Sequence, residues 1–91
     1  MNFGEAINAA KNGAKIQREG WNGKTQYVEL ATGISYKRAG GEIVNVEHDV
    51  IGNAAFAFVG TSGVQIGWLA SQADMLADDW KMVTNYATNQ K

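Results

Sequence analysis

Between Val64 and Trp80 the chain changes its hydrophobic period, and no other feature constrains the fold as much. Val64, Ile66 and Trp68 alternate with Gln65 and Gly67, which is the period of a strand. Ser71 is then a good helix N-cap, with Asp74 three residues later. This is the capping-box spacing with Asp in place of Glu, and Ala70 and Met75 fall at the hydrophobic-staple positions around it. A strand over 64–69 therefore runs into a helix over 71–78, and the chain needs both element types. The junction brings Trp68, backbone amides and polar side chains to one corner. A second corner is the turn Gly20-Trp21-Asn22-Gly23-Lys24, which holds a tryptophan and a lysine.

The rest of the chain fits the same class. Asn2 caps a helix over 3–12, with Glu5 three residues on. Phe3, Ala6, Ile7 and Ala10 recur on one face, and Gly13 suits the left-handed terminating position. Lys15–Arg18 and Gln26–Leu30 read as strands, joined as a hairpin around Asn22-Gly23, a dipeptide that suits a type I′ turn. Segments 34–37 and 43–46 flank Gly40-Gly41 as a second hairpin, and 47–53 reads as loop. Ala55–Val59, the turn Thr61-Ser62-Gly63 and the strand from Val64 make a third. Trp80–Val83 is a final short strand. The expected fold is α+β: a small, mostly antiparallel sheet with two short helices packed on it. One domain fills 1–84, followed by a polar tail over 85–91.

At 91 residues the core is small. A domain of this size buries little more than about 60% of its unfolded surface. There is no cysteine to form a disulfide or a thiolate metal site, and the single histidine, His48, argues against a histidine zinc site. No metal and no cofactor are expected. Three Trp, three Tyr and three Phe are generous for the length. Aromatic residues are enriched at subunit interfaces, so self-association is expected. The net charge is −1 with no block of like charges, which argues against a nucleic acid or a membrane partner. Neither a signal peptide nor an 18-residue apolar run is present, so the chain reads as cytosolic.

No catalytic set stands out. His48 lies in a charged, weakly patterned stretch. Asp78 and Asp79 sit at the expected helix end, where a solvated terminus or a contact with a neighbouring subunit's basic residue accounts for them. Gly60-Thr61-Ser62-Gly63 lacks the lysine and the helix of a phosphate loop. Binding is better supported. An indole face stacks on a nucleobase for about 1–3 kcal/mol, and Lys15, Arg18 and Lys24 bring positive charge near Trp21. Asp74 is a possible acceptor for a ribose hydroxyl or a base amine, although an anion there disfavours a phosphate. Two readings of Trp21 and Trp68 stand at this point: walls of a ligand site, or core and interface residues with Ser71 and Asp74 as a cap alone.

Three motifs bear on the choice. Met1-Asn-Phe-Gly-Glu-Ala6, Arg18-Glu-Gly-Trp-Asn-Gly-Lys24 and the block Trp68–Trp80 together resemble a phage and prophage family once known only as a domain of unknown function, the second class of Thoeris anti-defence proteins. The resemblance covers both ends of the domain. The middle, Thr32–Asn53, differs: many members have a longer segment with an Asn-Arg-Ala-Pro run, and this chain has no proline. The resemblance implies a non-enzymatic sponge in the cytoplasm of the bacterial host. It would bind a cyclic ADP-ribose-type signal, such as glycocyclic ADP-ribose, made by a TIR-domain enzyme, and hold it uncleaved. It implies a homotetramer with pockets between subunits. Carried onto matching positions, the ligand-binding candidates are Trp21, Asn22, Lys24, Trp68, Ser71, Gln72 and Asp74. The alternative is a structural or interaction module that grips a host protein through its tryptophan corners. A cyclic-nucleotide hydrolase is disfavoured by the single histidine and the absence of a metal-ligand pattern.

Overall fold

Both helices start where their capping residues dictate. In the computed structural model, which describes residues 1–21, 25–45 and 54–83, helix α1 spans Phe3–Lys11. Asn2 Oδ1 accepts from the Glu5 N–H at 2.8 Å, and Glu5 Oε1 accepts from the Asn2 N–H at 2.8 Å. At the other end Gly13 takes φ 98°, its N–H donates to Ala10 O, and the Ala14 N–H donates to Ala9 O. That bond pair is the Schellman ending, which needs a residue free of Cβ strain at this position.

The strands are β1 (Lys15–Arg18), β2 (Tyr27–Thr32), β3 (Ser35–Lys37), β4 (Ile43–Asn45), β5 (Ala54–Gly60), β6 (Gly63–Ile66) and β7 (Trp80–Val83). Helix α2 (Gln72–Leu76) lies between β6 and β7. Five strands form one antiparallel sheet in the order β6-β5-β2-β1-β7, while β3 and β4 pair as a separate hairpin. The fold is α+β, as expected. β1 and β2 do pair, with Ile16 opposite Val28. Asn22-Gly23 lies outside the described residues, as do the expected loop 47–53 with His48 and the tail 85–91.

Residues opposite one another in an antiparallel pair share a face. The register therefore puts Ile16, Val28, Phe56, Phe58 and Trp80 on one face and Tyr27, Ala57, Val59, Val64 and Ile66 on the other. α1 lies on the first face through Ala6 and Ala10, whose small side chains let it approach Ile16, Val28 and Trp80. These five residues form the buried cluster on this face, while Ala57 is buried on the other. Two bonds lock the start of the chain to β7: Met1 N donates to Trp80 O at 2.8 Å, and the Trp80 N–H donates to Met1 O at 3.1 Å. Among the described residues no helix is long and apolar enough to cross a membrane.

Two boundaries depart from the sequence reading. The strand expected over 64–69 ends at Ile66, because Gly67 turns the chain with φ 89°. The N–H groups of Gly67 and Trp68 then both donate to Phe56 O at 2.9 Å. Simple alternation would place Trp68 beside Val64 and Ile66; the turn sends it to the opposite face instead. The helix expected over 71–78 is shorter, because Ala77 is extended (φ −77°, ψ 151°), so Asp78 and Asp79 lie outside it.

Two substitutions test this account. Ile16→Ala is expected to cost about 2–5 kcal/mol in urea unfolding, the range for a large-to-small change in a core. Gly67→Ala is expected to cost about 1–3 kcal/mol, since alanine is strained at this φ. Wild-type stability in the Gly67 variant would show that the turn is not fixed by conformation.

Candidate functional site

The three tryptophans form one cluster. The Trp21 and Trp80 ring centroids are 5.4 Å apart, Trp21 and Trp68 are 6.2 Å apart, and Trp68 and Trp80 are 6.3 Å apart. All three pairs are edge-on, at 73–75°. Such aromatic pairs add about 0.5–1.5 kcal/mol each beyond area burial. Trp80 is the hub, 2% exposed, with its Nε1–H donating to the Asp74 carbonyl at 2.9 Å. Phe3 packs on it from α1 at 5.4 Å. Trp21 and Trp68 are partly buried and pack against the core. The two corners seen in the sequence are thus one corner, closed at its base by a third indole.

Beside the cluster an arginine gathers two carboxylates. The register places Arg18 of β1 opposite Trp80 of β7. Its Nε donates to Asp79 Oδ1 at 2.9 Å, and its Nη1 donates to Asp74 Oδ1 at 3.1 Å. The Ser71 N–H donates to Asp74 Oδ2, and the Asp74 N–H donates to Ser71 Oγ, each at 3.1 Å. The capping box read from the sequence is formed, and one of its carboxylate oxygens also reaches across to β1.

The electrostatics follow from these bonds. Bonds to Asp79 and then Asp74 raise the Arg18 guanidinium above its already high value. Burial pulls the Asp74 carboxyl upward, but the Ser71 bonds and Arg18 outweigh it, and the net shift is downward. The Arg18 bond is the main cause holding the Asp79 carboxyl below its usual value.

The structure brings together Trp21, Trp68, Ser71 and Asp74 of the expected set, with Gln72 exposed at the first position of α2. Asn22 and Lys24 lie outside the described residues. Arg18 is not a free cation beside Trp21, because it is committed to the two aspartates. Lys15 lies over the Tyr27 ring, 5.2 Å from its centroid. Asp79 is neither simply solvated nor left for another subunit: its partner is within the chain.

Three features escape a reading of local sequence. One is Trp80 as the hub. A second is Phe58, whose ring meets Trp21 at 5.6 Å. The third is an open depression of about 330 Å3 on the far side of Phe58, flanked by Gln26, Gln65, Thr61 and Ser62. The alternation of Phe56 and Phe58 along β5 was the available signal for the second.

The chain is thus a small antiparallel α+β domain with an aromatic corner, an ion-paired clamp beside it and an adjoining uncharged depression. Residues 1–83 match the model of the Thoeris anti-defense 2-like domain. The chain is also 35% identical over 88 residues to Thoeris anti-defense 2 of Bacillus phage SP01, a similarity spanning 92% of this chain and 96% of that protein. The chain belongs to the Thoeris anti-defense 2-like family.

The clamp makes stability depend on pH in a definite direction. Asp74 and Asp79 titrate below their ordinary value when folded, so acid protonates the unfolded chain first. Their contribution is complete above the ordinary aspartate value, about 3.9, and is lost as pH falls through the lowered folded values. Arg18→Gln is expected to lower the melting temperature at pH 7 and to flatten the acid limb of the melting profile. An unchanged acid limb would show that the clamp does not contribute.

Proposed function

We propose that the protein blocks Thoeris defence by binding a cyclic ADP-ribose-type signal nucleotide in the host cytoplasm and holding it uncleaved. The observation that carries this reading is the convergence of Trp21 and Trp68, partly buried and 6.2 Å apart, on a rigid base. Trp21 and Trp68 offer faces for the base or ribose. Asn22 and Lys24, from the turn after Trp21, are the groups for the pyrophosphate. Gln72 adds an exposed amide. Ser71 and Asp74 satisfy each other, so their contribution is to position α2 and Arg18, with Asp74 Oδ1 and Oδ2 as further acceptors for a hydroxyl.

The site is completed in a homotetramer on this reading. Of the eight large hydrophobic residues exposed among those described, five fall within residues 64–76: Val64, Ile66, Leu69, Met75 and Leu76. Leu69, next to Trp68, is 88% exposed. Val64 and Ile66 lie on the sheet face opposite the tryptophan corner, whereas Leu69 adjoins Trp68 and Met75 and Leu76 belong to α2; a second copy seated on the band of these last three would wall the corner. The same band would serve an interaction module gripping a host protein, which is the competing reading, and the two differ in whether nucleotide is retained.

Incubation with cyclic ADP-ribose, removal of free ligand and heating of the protein are expected to release the intact nucleotide. Release of a cleaved product would make the protein an enzyme, and no retained nucleotide would favour the interaction module. Trp21→Ala is expected to weaken binding by about 5- to 100-fold, the equivalent of losing one aromatic contact with the base or ribose. Leu69→Asp is expected to dissociate the assembly in light scattering. A wild-type monomer at micromolar concentration would overturn the tetramer.

A further inference from the structure

We propose that the depression beyond Phe58 is a purine-base pocket, with the Phe58 ring as its stacking face and the amides of Gln26 and Gln65 reading the base edge. The proposal rests on the reading of this protein as a nucleotide binder, and it assigns the base a place of its own beside Trp21.

The register builds the pocket. Phe58 of β5 lies opposite Gln65 of β6, so both side chains leave the sheet on one face, side by side. On the other flank Val28 is opposite Phe58 and Tyr27 is opposite Val59. Gln26, one residue before β2, lines the same depression beside Gly60. The Phe58 ring is thus flanked by the amide of Gln65 on β6 and that of Gln26 just ahead of β2. The Phe58 ring leans over Gly60, which has no Cβ to hold it off. Gly60 and Gly63 form the last pair of the β5–β6 hairpin, and a Cβ on Gly60 would approach Phe58 Cε2 to 3.2 Å. α1 covers Ile16, Val28 and Trp80 but is not among the residues that line this end of the face.

The lining selects the ligand. The depression is about 330 Å3, within the usual span of small-molecule sites. No charged residue lines it among those described, so nothing there compensates a phosphate or an ammonium group. Among the described residues no hydrogen bond engages the side-chain amide of Gln26 or Gln65. Each amide offers a donor beside an acceptor, the pattern that meets N6 and N7 of adenine. A neutral planar heterocycle that stacks and presents such an edge fits, and a base here would lie one ring away from Trp21.

The test is calorimetric titration of the full chain with cyclic ADP-ribose and with its inosine counterpart, followed by adenosine and inosine. Wild type is expected to prefer each adenine ligand by about tenfold, since hypoxanthine replaces the N6 donor with an acceptor. Gln26→Ala and Gln65→Ala, both at solvent-accessible positions, are expected to melt as wild type does. Each is expected to weaken adenine binding by about tenfold and to erase the preference. If both variants bind every ligand as wild type does while Trp21→Ala does not, the base sits elsewhere: the pocket is overturned and the sequestration reading stands. If cyclic ADP-ribose fails to bind but adenosine binds in a glutamine-dependent way, the pocket stands and sequestration falls. Binding of no ligand overturns both.

Discussion

The buried indole of Trp80 is the point on which the structure turns. Its ring sits under Trp21 and Trp68, packs against Phe3, and donates from Nε1 to the carbonyl of Asp74. Its backbone bonds Met1 in both directions. One residue, by its backbone and its indole together, therefore fixes the first residue of the chain, the short helix α2 and the other two tryptophans. A five-residue helix is far too short to persist alone in water. α2 holds its shape because Ser71 caps it, Trp80 bonds it from below, and Arg18 ties its carboxylate to β1.

This explains why a chain with so small a core presents a defined aromatic corner. Ala6 and Ala10 of α1 cover Ile16, Val28 and Trp80, and Trp21 and Trp68 pack edge-on against Trp80 at the edge of this core. Edge-on packing at the base fixes the ring planes. The Arg18 clamp adds direction to this packing, because the guanidinium reaches Asp74 and Asp79 from a single position on β1. If the corner binds as proposed, support and binding share residues, so a change at Arg18 or Asp74 would have both stability and ligand consequences, whereas a change at Gln65 would touch only the latter.

What the sequence made legible was whatever is encoded locally. Both capping boxes, strands β1 and β7 and the β5–β6 hairpin follow from residues within a few positions of each other. The face taken by Trp68 was not legible, because the alternation of 64, 66 and 68 is real but Gly67 breaks it with a single positive φ. The partner of Asp79 was not legible, because Arg18 is 61 positions away and the contact exists only once β7 lies beside β1. The Phe58 depression needs the register of three strands at once, and no window of sequence contains it. The hairpin of β3 and β4 was readable as a hairpin, but its standing as a separate sheet was not.

The tryptophan triangle has an optical consequence. Three indoles with centroids 5.4–6.3 Å apart and planes near perpendicular are close enough for their electronic transitions to couple. The coupling depends steeply on separation and angle, and it gives the near-ultraviolet dichroism of such a cluster a sign and strength that isolated tryptophans lack. All the tryptophans in the chain belong to this one triangle, so no distant indole dilutes the signal. On the proposed reading, a nucleotide lying against Trp21 or Trp68 would add a fourth transition to the set, and the dichroism would then report occupancy without a label.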